Sequence, residues 1–353
     1  MEKLDFRKLI EFDNHKLVQF IFDKEAGLRG FIAIHNNDAG SIAVGGTRML
    51  PYMSEKDALF DVLRLSRAMT YKCAIVRLPY GGAKGVIIGN PQKDKTIELL
   101  RAYAKQVDSL RGRFRTGEDV GITQDDVNTM LEVSDYFIGK PNLAGDPSPY
   151  AALSCFYSIQ AAIPFAFKKK SLKGLKVAVK GVGKVGKALS MLLSKAGALV
   201  YVSDIDKVAL SEIKKKIPQI KIIDNKKIRI LPVDIYSPCA LGNEFSLKNI
   251  TDIKAKIICG AANNQLVDDE VGSWLFDKGI IYVPDYLANS GGLINVADEL
   301  EEGGYNRKRV LKRIDTLRSI VKGVLVLSRQ KNQPYHRTAD QIAEDAFKSK
   351  SIL

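Results

Sequence analysis

Histidine and cysteine are scarce in this chain, and where they stand removes whole classes of chemistry. There are three histidines (His15, His35, His336) and four cysteines (Cys73, Cys155, Cys239, Cys259) in 353 residues. No two cysteines form a CxxC pair, and no histidine has metal-ligand spacing to a cysteine or another histidine. A zinc-dependent mechanism has little to work with, so no metal is expected. A disulfide framework is argued against as well, and a reducing cytosol fits. Met1-Glu-Lys-Leu-Asp-Phe-Arg-Lys8 lacks the apolar run of a signal peptide, so a cytoplasmic location is expected. The 21 charge-free residues from Pro147 to Phe167 are interrupted by Pro149, Pro164, Ser154, Ser158 and Gln160. They read as a buried helix beginning near Pro149 and ending at Lys168-Lys169-Lys170, not as a membrane span. The net charge is +14, but 54 basic and 40 acidic residues are interleaved along the chain. That is a basic soluble surface, and no nucleic-acid partner is expected.

What is present suggests two domains, since 353 residues exceed one typical core. In the second half, Leu175-Lys-Val-Ala-Val179 reads as a buried strand. It runs into Gly181-Val-Gly183-Lys184-Val185-Gly186 and then a helix with Ala188, Leu189, Leu192 and Leu193 as its apolar stripe. Gly197 stops that helix, Leu199–Ser203 makes a second strand, and Asp204 closes it 18 residues after Gly186. The first glycine permits a tight turn, the second lets backbone approach a pyrophosphate, and the third lets helix pack on strand. The helix N-terminus meets the phosphates. Asp204 can accept hydrogen bonds from the adenosine ribose and would repel a 2′-phosphate, which favours NAD. Further strands are expected at Val233–Ile235, Lys256–Cys259 and Ile280–Val283. Each leads into a small or polar loop that should face the cofactor. Asn263, in one of these loops, either bonds the nicotinamide ribose or satisfies its own loop.

In the first half, strands are expected at Leu17–Phe22, Gly30–His35 and Ser41–Val44. Ser54-Glu-Lys-Asp57 resembles a capping box opening a helix that ends at Thr70-Tyr71-Lys72. The segment Tyr80-Gly-Gly-Ala-Lys84-Gly85 reads as a loop. Its glycines would let backbone approach a ligand within reach of Lys84, or Lys84 is a surface lysine in a flexible turn. Glu118-Asp119-Val120-Gly121 is an acidic loop ahead of a helix start at Thr123-Gln-Asp-Asp126. Gly45-Gly46-Thr47-Arg48-Met49 follows a strand end.

Nine motifs stand in a familiar order: Gly45-Gly-Thr-Arg-Met49, Met69-Thr-Tyr-Lys72, Gly81-Gly-Ala-Lys84, Glu118-Asp-Val-Gly121, Pro147-Ser-Pro149, the Gly181 turn, Ser237-Pro-Cys-Ala-Leu-Gly242, Ala262-Asn-Asn-Gln-Leu266 and Gly291-Gly-Leu-Ile-Asn-Val-Ala-Asp298. From about Gly30 to Ala346 the chain resembles the glutamate/leucine/phenylalanine/valine dehydrogenase family, and within it the short leucine dehydrogenase branch. It departs from that branch at Tyr150-Ala151-Ala152, where a threonine is usual, and at Gly81-Gly-Ala-Lys84, which is closer to the glutamate enzymes.

The resemblance implies an α/β chain of two domains separated by a cleft. Residues 1–146 would form the substrate and oligomerisation domain, 147–325 a Rossmann NAD-binding domain, and 326–353 a helical segment returning to the first. It assigns catalysis to Lys84 and Asp119, and substrate contacts to Lys72, Gly45, Val44, Leu293 and Val296. Cofactor contacts fall to Gly181, Gly183, Lys184, Val185, Gly186, Asp204, Ala240 and Asn263. Lys72 resembles the lysine that pairs with the substrate α-carboxylate. Lys84 resembles the catalytic lysine, and Asp119 the carboxylate that exchanges protons with the substrate amine. Glutamate dehydrogenases carry a lysine where this chain has Val44 and a serine where it has Val296. With Leu293 as a third apolar wall, a substrate carboxylate would be left unpaired. The expected function is therefore NAD-dependent oxidative deamination of an apolar L-amino acid, leucine or another branched-chain one, by a homo-oligomer. An aromatic amino acid is the alternative substrate, and a non-catalytic NAD-binding regulator the alternative function.

Overall fold

The computed structural model describes residue 9, residues 11–37 and residues 42–348. The chain forms two units. The first takes the described residues up to Asp146, then Val296–Tyr305 and those from Ala343 on; the second takes Pro147–Asn295 and Asn306–Ile342.

The first unit is built on a mixed sheet. Its elements are β1 (Leu17–Asp23), β2 (Leu28–Asn36), β3 (Ala43–Val44), β4 (Thr47–Leu50), α1 (Glu55–Ile75), β5 (Gly81–Ile88), α2 (Ile97–Ser109), β6 (Phe114–Arg115) and α3 (Gln124–Leu131). The strand order is β1-β2-β5-β3-β6, with β4 also paired to β5. Alternation along β2 sends its side chains to two faces. Phe31 and Ala33 pack with Ala58, Leu59, Val62 and Leu63 of α1. Ile32 and Ile34 pack with Leu99, Leu100, Tyr103 and Val107 of α2. Each such aliphatic side chain, once buried, contributes about 1.5–3 kcal/mol. α1 opens on Ser54, whose hydroxyl accepts the Asp57 amide hydrogen bond at 3.1 Å. It runs past the expected stop at Lys72 to Ile75, because Cys73, Ala74 and Ile75 are all buried. The strand expected from Ser41 starts at Ala43, and Ser41 lies outside the described residues.

The largest correction concerns Tyr80–Gly85, which is no loop. Gly81–Ile88 is the central strand β5, antiparallel to β2 and parallel to β3 and β4. Its glycines pack against the protein's own backbone and side chains. A Cβ at Gly82 would lie 2.0 Å from the Thr70 nitrogen, and one at Gly85 would lie 1.9 Å from the Tyr103 hydroxyl. Glycine here lets a helix and a tyrosine sit directly on the strand.

The second unit holds a wholly parallel sheet. Its elements are α4 (Ser148–Ala166), β7 (Lys176–Lys180), α5 (Lys184–Lys195), β8 (Leu199–Ser203), α6 (Lys207–Lys216), β9 (Lys221–Ile222), β10 (Ile235–Pro238), β11 (Ile257–Ile258), α7 (Asp269–Asp277), β12 (Ile281–Tyr282), α8 (Asp285–Ala288), α9 (Gly291–Ala297), α10 (Arg307–Lys331) and α11 (Tyr335–Lys348). The order β12-β11-β10-β7-β8-β9 is doubly wound. Its topological switch point falls between β7 and β10, where such folds take their ligands. β10 begins at Ile235, two residues later than expected, and Pro284–Gly292 is largely short helix where a loop was expected. The expected boundary at 325/326 falls inside the continuous helix α10. The chain rejoins the first unit at Ala343, where the Tyr71 hydroxyl donates to Glu344 at 2.6 Å. Among the described residues, no helix is long and apolar enough to cross a membrane.

All three histidines are buried. His35 meets Thr70 Oγ1 at 2.9 Å and Asp13 Oδ2 at 3.3 Å. Burial, aided by His15, pushes its pKa down to about 4. Burial also lowers His15 and His336. Both ring nitrogens of His336 lack a hydrogen-bond partner among the described residues. Between pH 6.5 and about 4 the unfolded chain binds the His35 proton and the folded chain does not, so stability falls as pH falls through that window. His35 alone costs about 3 kcal/mol by pH 4, at about 1.4 kcal/mol per unit. Urea midpoints should drop between pH 7.5 and 5, and His35→Gln should flatten the drop. An unchanged midpoint would exclude neutral buried histidines.

Candidate active site

β4 and β5 bring the first cluster together. Lys84, on the central strand, is only 6% exposed. Its Nζ lies 2.9 Å from Asp119 Oδ2. Asp119 stands in the segment between β6 and α3, which is stitched to β4 by the Met49 amide donating to the Val120 carbonyl at 2.9 Å. Gly121 makes that close approach possible, with φ +81° and a would-be Cβ 2.2 Å from the Met49 carbonyl oxygen. Gly46 leaves the room the pair needs, since a Cβ there would lie 3.1 Å from Asp119 Cβ and 3.3 Å from Lys84 Nζ. Gly45 is packed closer still, its would-be Cβ 1.8 Å from the Ala83 carbonyl oxygen.

Asp119 has a second cation. Arg48 Nε donates to the same Oδ2 at 2.9 Å. Burial alone would raise the Asp119 pKa, but Lys84 and Arg48 outweigh it and hold the carboxyl down to about 2. Arg48 continues to Asp61 Oδ2 at 3.1 Å, an oxygen that also accepts the Tyr52 hydroxyl at 2.6 Å.

Lys72 occupies the last turn of α1 and is half-buried. Thr70 touches Gly82, so Lys72 and Lys84 each stand two residues beyond one crossing point of helix and strand. Val44 is fully buried and registers with Gly82 on β5. Val296 and Leu293 stand one turn apart on α9, with Leu293 buried and Val296 beside Gly139.

The second cluster sits at the switch point. Gly181 follows β7 with φ +95°, and its would-be Cβ lies 2.8 Å from the Ala240 nitrogen, so the turns leaving β7 and β10 touch. Gly186 presses on the Gly181 carbonyl oxygen, 1.9 Å from its would-be Cβ, whereas Gly183 faces open space. Gly183 caps α5 without a side chain. Lys184, Val185 and Gly186 follow in the first turn, so their amides are left for a ligand. Asp204 is fixed by accepting the Val182 amide at 2.6 Å and the Asp206 amide at 3.0 Å. Asn263 Oδ1 accepts from Asn289 Nδ2 at 2.6 Å, a side chain of another segment. An open glycine cap, an uncapped helix start and a fixed carboxylate fit a dinucleotide.

Residues 15–140 match the dimerisation domain of Glu/Leu/Phe/Val dehydrogenases. Residues 148–349 match the glutamate/leucine/phenylalanine/valine dehydrogenase domain. The chain belongs to the Glu/Leu/Phe/Val dehydrogenase family. It is similar to L-tryptophan dehydrogenase of Nostoc punctiforme, 41% identical over 96% of each chain. Its crystal structure superposes with a TM-score of 0.82 at 39% identity, covering 96% of this chain and 97% of that one. Leucine dehydrogenase of Bacillus cereus is 41% identical over 98% of this chain and 94% of its own length. Phenylalanine dehydrogenase of Thermoactinomyces intermedius is 40% identical over the same shares. This amino-acid dehydrogenase therefore uses a nicotinamide cofactor.

Sequence reasoning quoted Arg48 within a motif of this dehydrogenase and gave it no role. Asp61 and Tyr52 it missed. The only signal was an arginine at a strand end beside two glycines, which does not say which carboxylates it meets.

Proposed function

We propose that this dehydrogenase oxidatively deaminates an apolar L-amino acid with NAD, leucine and its branched-chain neighbours foremost. The observation that carries the chemistry is the buried Lys84–Asp119 pair at 2.9 Å, enclosed by glycines and tied to two strands. Bound at the Gly181–Gly186 turn, the nicotinamide dinucleotide supplies the two-electron acceptor for the substrate α-hydrogen. Lys72 holds the substrate α-carboxylate and so fixes Cα. Lys84 Nζ takes a proton from the water that attacks the imino carbon, and Asp119 exchanges protons with the departing amine. Overall, the amino acid, water and the oxidised dinucleotide would yield the 2-oxo acid, ammonium, the reduced dinucleotide and one proton.

The apolar identity of Val44, Leu293 and Val296 supports an apolar substrate side chain, since none of the three could pair with a substrate carboxylate. Initial rates with leucine, isoleucine, valine, phenylalanine, tryptophan and glutamate test the assignment. A branched-chain substrate should come first, with neighbouring aliphatics poorly separated. Glutamate in first place would overturn the pocket argument, and an aromatic in first place would move the assignment to the aromatic enzymes.

Asp204 supports NAD over NADP, because its fixed carboxylate would face a 2′-phosphate with like charge. The kcat/KM ratio for NAD over NADP should be roughly 100-fold and should collapse to within about tenfold in Asp204→Ser. Equal use of the two cofactors by the unaltered enzyme would refute this.

A homo-oligomer is supported by the edge strand β1, where Phe20 and Phe22 are 50% and 57% exposed and stack at 6.3 Å. Such an apolar edge calls for a cover. A cytoplasmic location belongs to the same proposal.

A further inference from the structure

Asp119 takes two cationic donors, and both converge on one oxygen. Lys84 Nζ and Arg48 Nε each lie 2.9 Å from Oδ2. The two donors differ in what they can do. In the proposed reaction Lys84 exchanges its proton with water, whereas a guanidinium keeps its charge at every working pH and offers donors in a rigid plane.

Arg48 is also held from behind. Its NH1 donates to Asp61 Oδ2 at 3.1 Å, Tyr52 donates to that oxygen at 2.6 Å, and Arg64 donates to Asp61 Oδ1 at 2.8 Å. The guanidinium thus bridges two carboxylates from different elements, α1 and the segment after β6. Only 12% of the Arg48 side chain is exposed, and the same holds for Asp61. A bridge so enclosed holds Asp119 Oδ2 in place whether or not Lys84 stays attached.

We infer that Arg48 is the positioning residue of the proton-exchange step, anchoring Asp119 through Oδ2 and leaving Oδ1 to meet the substrate amine. This rests on the reading of Asp119 as the proton-exchanging carboxylate. Without Arg48, the carboxylate would follow Lys84 alone and swing whenever Lys84 exchanged its proton. Asp61 and Tyr52 act one step further back, keeping the guanidinium from following Asp119.

The test compares Arg48→Met, Arg48→Lys, Arg48→Ala, Asp61→Asn and Asp119→Asn, each checked by thermal melting. Arg48→Met should lose roughly 30- to 300-fold in kcat with the amino-acid KM changed less than about threefold, because the lost function is orientation and not binding. Arg48→Lys should recover about tenfold of that loss, since one ammonium reaches Asp119 or Asp61 but does not bridge them. In Arg48→Ala, guanidinium at millimolar, non-denaturing concentration should raise kcat, and it should do nothing for Asp119→Asn. A merely structural role would give neither the KM-sparing loss nor the rescue. If Asp119→Asn collapses while Arg48→Met stays within threefold of normal kcat, the inference is wrong and the reading of Asp119 stands. If Asp119→Asn itself keeps most of its kcat, that reading fails and the inference with it. Should Arg48→Met and Arg48→Ala not fold, Asp61→Asn carries the test. It keeps Arg48 and loosens its anchor, so kcat should fall about five- to tenfold at constant KM, and an unchanged kcat would refute the inference.

Discussion

Lys84→Ala should abolish turnover while leaving dinucleotide affinity within about twofold of normal. The loss expected for removing a positioned acid-base group is roughly 10²–10⁴ in rate. The upper part of that range applies because Lys84 is buried on a central strand, its Nζ 2.9 Å from Asp119, with no other lysine of that strand to replace it. The fold should survive, because Arg48 still neutralises Asp119 after the change. Lys72→Ala should behave differently. At the end of α1, in the proposed role of carboxylate partner, its loss should raise the amino-acid KM with a smaller loss of kcat. Steady-state kinetics on both variants, with dinucleotide titration by fluorescence, separate the two roles. If Lys84→Ala keeps most of its kcat, the base assignment is wrong.

The glycines at the switch point should separate binding from folding. Gly186→Ala places a methyl 1.9 Å from the Gly181 carbonyl oxygen, a backbone atom that has to move. The cost should be in the upper range for overpacking, about 3 kcal/mol, with dinucleotide binding lost as the turn opens. Gly183→Ala meets nothing within 4 Å and should melt within a few degrees of the unaltered protein. Its methyl nevertheless fills the space a pyrophosphate needs, so affinity should fall about 100-fold or more. Thermal melting and dinucleotide titration on the pair check this. Tight binding by Gly183→Ala would place the phosphates elsewhere.

The second unit was readable because its signals are local. A strand, a glycine turn, a helix stripe and an acid follow one another within Leu175–Asp204, and each element formed where its residues pointed. The order of the parallel strands, with its reversal at β7, was not legible there, because a strand-to-loop pattern does not say which strands pair. The first unit was harder because its decisive contacts are distant in sequence. Gly81, Gly82 and Gly85 looked like turn residues, as glycines next to a lysine usually are. Their actual use depends on Asn36, Thr70 and Tyr103 respectively, which no local pattern connects to them. The same holds for Arg48, whose partners lie 13 and 71 residues away. β10 shifted to Ile235–Pro238 because a terminal proline costs little there. The ladder continues past it with the Cys239 amide donating to the Lys180 carbonyl at 2.7 Å.

The glycine packing around β5 also divides the protein into parts that can vary and parts that cannot. At Gly45, Gly81, Gly82 and Gly85, any side chain would enter the atoms of a neighbouring segment, within 2.0 Å of one at each. Random mutagenesis there should return inactive, insoluble clones and little else. Val44, Leu293 and Val296, the apolar positions proposed for the substrate side chain, already carry a Cβ and branched side chains, so exchanges there change volume and do not introduce a side chain where none fits. A combinatorial library confined to those three can trade volume against volume while the proton-handling groups stay in register. On the proposed assignment, redirecting this scaffold to a new amino acid starts from those three positions, with the strand glycines left untouched.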